Sequence, residues 1–246
     1  MSASMDDVLN DLVAEYDCLD AVLSLLSDDQ WSAPSGAPGW TVRDVVVHLA
    51  QTEEGVAVSL AAPVAGWTTR EGTLDEAVDA RVHADETPAS EVLDRWRSAR
   101  RSSVAALAIA DPGVVVRWAA APLKPKTLAT TRLAEHWAHR LDICEPFGLE
   151  VQDTDRLRHV AWLGHATLPY AMQLARLDPI EVRCTLDAPS GAVWTYGPST
   201  ASHWVTGSGG AFCRVGARRI AAEDSGLDVS GPVAAAALGV LRNYAA

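Results

Sequence analysis

The chain has 246 residues, 48% of them hydrophobic, enough apolar material for one large core or two modest ones and too much for a disordered chain. Its 20 basic against 32 acidic residues give a formal net charge of −12, which removes the electrostatic basis for holding nucleic acid or an anionic membrane surface. No basic, apolar leader opens the sequence and no stretch is apolar for long enough to span a bilayer, so the expected setting is the cytoplasm and the expected partner a small molecule.

From Met5 to about Ser27, apolar residues recur at three and four (Val8, Leu9, Leu12, Val13, Tyr16, Leu19, Val22, Leu23, Leu26), which predicts an amphipathic helix ending in Asp28-Asp-Gln-Trp31. Residues 32–39 are rich in proline and glycine and form a loop. Thr41-Val-Arg-Asp44 then has the form of a capping box, so a second helix is predicted from Thr41 through His48 towards Ala61. Residues 73–110 carry a short amphipathic piece and a longer helix with Val92, Leu93, Trp96, Ala99, Val104 and Leu107 on its apolar side, stopped by Asp111-Pro-Gly113. An extended connection from Val114 to Pro125 leads to a helix from about Leu128 to Glu145, closed by Pro146 and Gly148. A further helix is expected from near Asp153 to Leu177, in spite of Pro169.

After Asp178-Pro179 the texture changes. Residues 180–186 alternate by two, 188–191 are turn chemistry and 192–196 can return as a second strand, which predicts a β-hairpin. Residues 207–210 read as loose, 212–222 as helical, 227–229 as a short strand, and an alanine-rich helix starts at Ser230-Gly-Pro-Val. The expected fold is therefore an α-helical bundle of four main helices and one or two short ones over residues 1–177, followed by a small α+β domain over 178–246. Cys18, Cys144, Cys184 and Cys213 lie far apart without a CxxC pair and read as buried thiols, not as a zinc ribbon or a disulfide scaffold.

Chemistry concentrates in Arg132-Leu-Ala-Glu135-His-Trp-Ala-His139-Arg-Leu-Asp142. Glu135 and His139 are four apart, so a carboxylate oxygen and an imidazole nitrogen stand one turn apart on one helix face and can converge on a cation. His48, among Val45, Leu49 and Thr52, is a third candidate, because a histidine on an apolar face needs a partner for its ring nitrogens. The same residues also fit a solvated i,i+4 pair and a hydrogen-bonded core histidine, and the spacing alone does not choose between these readings. His136 and Arg132 neighbour the metal face, Trp137 points to the core side, and Arg158 and His165 share one amphipathic helix. Ser208-Gly-Gly210 lacks the Lys-Ser/Thr of a phosphate loop.

Residues 31–49, Trp-Ser-Ala-Pro-Ser-Gly-Ala-Pro-Gly-Trp-Thr-Val-Arg-Asp-Val-Val-Val-His-Leu, resemble the start of the mycothiol-dependent maleylpyruvate isomerase N-terminal domain, a branch of the DinB-like metal-binding bundles. In that family a histidine closes the Gly-Trp-Thr-Val-Arg-Asp motif and a later Glu-x-x-x-His completes a metal triad, which the resemblance places at His48, Glu135 and His139. Residues 153–162, Trp194-Thr-Tyr-Gly-Pro198 and Val205-Thr-Gly207 resemble a subfamily with a short C-terminal domain, so the likeness extends over most of the chain. Two positions depart from the family's pattern: Arg140 stands where a small residue is common, and Gly210-Ala-Phe212 replaces a more acidic stretch. The resemblance implies an enzyme with a divalent metal, zinc or nickel, and mycothiol or another small thiol as co-substrate, acting as isomerase or transferase on a small electrophilic metabolite. Arg140 would then be a clamp for a substrate carboxylate, the other reading being a surface salt bridge to Asp142 or Glu145. A thiol-independent metal-dependent lyase or cyclase and a non-catalytic metal- or ligand-binding protein remain as other readings. The sequence leaves the substrate and the oligomeric state open.

Overall fold

The computed structural model describes residues 3–62, 73–119 and 121–243, which divide between Val151 and Gln152 into two compact units. The first is a helical bundle: α1 (Met5–Leu23), α2 (Asp28–Ser32), α3 (Val42–Ala61), α4 (Leu74–His83), α5 (Ala89–Ile109) and α6 (Pro125–Cys144), with a 3-10 turn at Glu145–Phe147. The long helices α1, α3, α5 and α6 make the bundle, α3 packing mainly on α5 and α1 on α6. The expected capping box is present at α3, where the Thr41 N–H donates to Asp44 Oδ2 (3.0 Å) and the Asp44 N–H to Thr41 Oγ1 (3.2 Å). Asp28–Ser32 is not the tail of the first helix but a helix of its own, because Ser27 and Gln30 form a second capping box. Pro125, expected to end an extended connection, is instead the first residue of α6, a position where its missing N–H costs nothing.

Leu12, Leu19, Val45, Leu49, Trp96, Leu107, Leu128, Leu133 and Trp137 fill the core. An ion pair is sealed among them. Arg132 Nε on α6 donates to Glu53 Oε1 on α3 (2.9 Å), and Nη2 donates to Thr52 Oγ1 (2.7 Å), whose own proton goes to the His48 carbonyl (2.9 Å). The Arg132 and Glu53 side chains are 3% and 0% exposed.

The chain leaving α4 is pinned to α3 and α5 through Asp85, whose Oδ2 accepts from Arg95 Nη1 (2.6 Å) and Gln51 Nε2 (2.9 Å) and whose Oδ1 accepts from the Thr87 N–H (3.0 Å). Partial burial opposes ionisation of this carboxyl, but Arg95, Thr87 and Gln51 together hold it well below the usual carboxylate range. A group with a depressed folded-state pKa contributes its stability above its unfolded pKa of about 4 and loses it as pH falls towards the folded value. Acid unfolding should therefore set in at pH 3–4, and Asp85→Asn should lower stability at pH 7 by on the order of 2 kcal/mol while flattening its dependence on acid. Denaturant melts at pH 7 and pH 3 check this; an unchanged pH slope in the variant contradicts it.

The second unit contains α7 (Leu157–Leu174), β1 (Val182–Asp187), β2 (Val193–Tyr196), β3 (His203–Ser208), α8 (Gly209–Gly216), β4 (Asp228–Val229) and α9 (Pro232–Gly239). The sheet order is β2-β1-β3-β4. The expected hairpin is there, β1 and β2 pairing antiparallel with Cys184 opposite Tyr196 and Leu186 opposite Trp194, about a turn in which Gly191 has φ +85°. β3 was not expected: it runs parallel to β1, and only Val205 of its six residues is buried, so the period-two signal is absent. Residues 207–210 are not loose but join β3 to α8, with Ser208 as the N-cap. The glycines there give room, since a Cβ on Gly209 would lie 2.7 Å from the Trp194 ring and one on Gly210 would collide with Asp153 Oδ2. α8 ends at Gly216 and not at Ala222, because the chain turns left-handed at Arg218 (φ +61°).

The boundary between the units corrects the expected one at residue 177. α7 buries Leu157, Val160, Leu163, Leu168 and Met172 and belongs with the sheet. Tyr196 Oη donates to the Arg158 carbonyl (2.7 Å), His165 Nε2 to the Val182 carbonyl (2.9 Å) and Thr167 Oγ1 to the Arg242 carbonyl (2.6 Å). The change of texture at Asp178-Pro179 marks a switch from helix to strand inside one unit. Cys144, Cys184 and Cys213 are buried, as expected, while Cys18 is half-buried. Among the described residues no helix is long and apolar enough to cross a membrane.

Candidate metal centre

The bundle brings His48 of α3 against Glu135 and His139 of α6, with one ligand atom from each lying within 4.8 Å of the others. Both His48 Nε2 and His139 Nε2 stand 3.5 Å from Glu135 Oε2, and the two imidazole centroids are 5.0 Å apart. The Glu135 side chain keeps 27% of its surface exposed, against 10% for His48 and 12% for His139, so the cluster is sheltered yet reached by solvent.

Hydrogen bonds decide which nitrogens can act as ligands. His139 Nδ1 lies 2.9 Å from Asp142 Oδ2, and a carboxylate only accepts, so a proton sits on Nδ1 and Nε2 is the nitrogen that faces the cluster. A carboxylate behind a ligand histidine fixes its tautomer and orientation and raises its basicity. His136 is the opposite case. Its Nδ1 donates to the Arg132 carbonyl (2.8 Å) and its Nε2 accepts from Trp96 Nε1–H (3.1 Å), so both nitrogens are spent inside the core. Trp137 is buried, as the helix phase predicts.

Charge in the cluster follows from these contacts. Burial drives the His48 imidazole down to about 4, with the Glu135 contact opposing it, so this ring is neutral. Burial acts on His139 in the same sense, but the bonds to Asp142 and Glu135 overcome it and lift that ring to about 9. Burial would raise Glu135, yet His139, His48 and Arg132 hold it well below the usual carboxylate range. A carboxylate and a neutral imidazole stand ready for a cation, and the His139 ring, basic because of its two carboxylates, would release its Nε2 proton as a metal binds. Two imidazole nitrogens and one carboxylate oxygen are a donor set that fits a divalent zinc or nickel ion, and three ligands leave coordination positions for other groups.

Arg140, expected as a substrate clamp, is placed elsewhere. One residue beyond His139 is about 100° around the helix, and Arg140 Nε there donates to Glu15 Oε1 of α1 at 2.6 Å, with side chains 8% and 2% exposed. Its charge is spent on helix packing. Sequence reading also missed two residues of the site. Asp142 carried a signal, three residues after His139 on the same helix; Trp40 carried none beyond its motif, and its ring centroid lies 5.2 Å from that of His48 and 6.2 Å from that of His139.

Fold and site together define a class: a helical bundle with a His-Glu-His cluster between two of its helices, in a chain that also carries a small mixed-sheet unit. The chain belongs to the family of the mycothiol maleylpyruvate isomerase N-terminal domain, whose sequence pattern matches residues 12–144. An uncharacterized protein from each of two strains of Mycobacterium tuberculosis is 37% identical over 235 residues, which cover 89% of this chain and 87% of the relative. Crystal structures of the mycothiol-dependent maleylpyruvate isomerase and of a histidine-to-alanine mutant of it are similar with a TM-score of 0.63, cover 93% of both chains, and are 17% and 16% identical. At that identity the likeness is one of fold.

Proposed function

We propose that the protein is an enzyme that holds one divalent metal at His48, Glu135 and His139 and uses a small thiol of the mycothiol kind to isomerise or conjugate a small electrophilic metabolite. The observation that carries this reading is the cluster itself: three convergent donors, one with its tautomer set by Asp142, in a member of this family. When bound, the ion would lower the pKa of a coordinated thiol and polarise a substrate carbonyl. The chain's own residues do the rest. His48 presents a neutral nitrogen, His139 one that is freed when the ion displaces its Nε2 proton, Glu135 brings the negative charge, and Asp142 keeps the other His139 proton on the far side of the ring.

A thiol of ordinary pKa about 8.5 is only a few per cent ionised at pH 7, so stabilising its thiolate raises the nucleophile's population by about tenfold or more. Isomerisation follows when the thiol adds to an alkene and is later expelled, and conjugation follows when it is retained. The test is to load the protein with zinc, supply an unsaturated acid or an epoxide, and add mycothiol, other cellular thiols or none, with mass-spectrometric detection. Product that depends on a thiol is the expected result. Equal turnover without thiol would replace this reading by a lyase or cyclase, and tight binding without turnover by a sequestering protein.

A further inference from the structure

The proposed function leaves Trp40 without a task, yet this half-buried indole is fixed from several sides. Its ring lies across both ligand histidines, nearly parallel to His139 at an interplanar angle of 26°. Its Nε1–H donates to Asp79 Oδ1 of α4 at 2.8 Å. Its carbonyl accepts from the Ser35 N–H and from Ser35 Oγ, each at 2.9 Å. The loop that carries it is tied to α6 just beyond the ligands, where the Gly36 N–H donates to the Asp142 carbonyl at 2.7 Å and a Cβ at position 36 would come to 3.0 Å from Asp142 Cα. α4, which holds the indole, is itself secured by Gln51 Nε2 donating to the Arg81 carbonyl (3.3 Å) and by the bonds of Asp85.

A plain structural task would be the hydrophobic staple, in which the residue before the N-cap packs against the fourth residue of the helix, here Val45. A staple asks only for an apolar side chain. It needs neither an indole N–H tied to another helix nor a ring spread over two imidazoles.

Resting on the metal reading of the site, we infer that Trp40 is a specificity-determining wall of the metal centre, one that shields the His48 and His139 imidazoles from water and so favours a thiolate over water as the exogenous ligand. The apolar shell of a metal site sets its solvent access and local dielectric. A lower dielectric strengthens the attraction between a cation and an anionic sulfur, while a soft, weakly hydrated thiolate loses less on entering than a hydroxide does.

The test uses cobalt(II) as a spectroscopic probe ion and 2-mercaptoethanol as the thiol, reading the sulfur-to-cobalt charge-transfer absorption. The unsubstituted protein should bind one cobalt per chain and give a saturable thiol band. Trp40→Leu keeps the staple, so it should retain cobalt and melting temperature but need about tenfold more thiol for half-saturation. Asp79→Ala, which leaves the indole in place but unheld, should need severalfold more. The inference is overturned if Trp40→Leu titrates with thiol within twofold of the parent, or if it loses cobalt in parallel, which would make Trp40 a prop for the imidazoles. Should Trp40→Leu fail to fold, an unchanged thiol titration in Asp79→Ala overturns it equally. Failure of the unsubstituted protein to take up cobalt would remove the metal reading, and the wall with it, before any substitution is compared.

Discussion

Replacing His139 by alanine should abolish retained metal, with affinity falling by on the order of a hundredfold or more. Two donors would remain, His48 and Glu135, one from each of two helices, and Asp142 would lose the ring it orients. Because Asp142 is buried, the same change should cost roughly 1–3 kcal/mol of stability, small enough to leave the bundle folded. His136→Ala supplies the contrast. It removes a core partner of Trp96 and destabilises the protein, but it should leave metal content unchanged, since both His136 nitrogens are engaged away from the cluster. Elemental analysis after dialysis reads both variants. Metal lost with His136 and kept without His139 would mean that the other face of α6 is the binding face.

The largest loss of stability should come from Glu53→Gln. The substitution is nearly isosteric, yet it leaves the Arg132 guanidinium charged and sealed in the core without the carboxylate it is hydrogen-bonded to, a situation that costs about 3–5 kcal/mol. For a domain of this size each kcal/mol is worth roughly 2–4 °C, so the melting temperature should fall by roughly 6–20 °C. Replacing both residues together, Glu53→Leu with Arg132→Met, should recover most of that loss, because no charge is then stranded. The double variant also frees the Thr52 hydroxyl from Arg132 while leaving its bond to the His48 carbonyl, so metal content in that variant reports whether the pair holds α3 in register with the ligands of α6. A Glu53→Gln protein as stable as its parent would contradict the account of the core.

Much of the bundle was legible because its signals are local. Apolar residues at three and four marked α1 and α5, and Thr41 with Asp44, as a capping box, marked the start of α3. The three ligand candidates were legible for a mixed reason: Glu135 and His139 by helical spacing, His48 by its place at the end of a motif shared with a family. What stayed hidden depends on contacts far apart in sequence. Arg140 follows a candidate ligand directly, and only the position of α1, with Glu15, shows that its charge belongs to packing. β3 hides because one buried valine makes no alternation, and its pairing with β1 reaches across the whole of β2. The unit boundary was misplaced because α7 is as helical as the bundle before it, and nothing in its own period tells which neighbour it covers. Trp40 over the imidazoles is a tertiary fact of the same kind.

Whether His48, Glu135 and His139 hold a metal is read from where a loaded ion sits. Crystals of the protein loaded with zinc, measured at the zinc absorption edge, test it most directly. One anomalous peak per chain is expected within about 2.0–2.2 Å of His48 Nε2, His139 Nε2 and a Glu135 carboxylate oxygen, with His139 Nδ1 still bonded to Asp142. A structure in which these three side chains stay at their present spacing with no peak between them, or in which the zinc is bound by other residues, would contradict it.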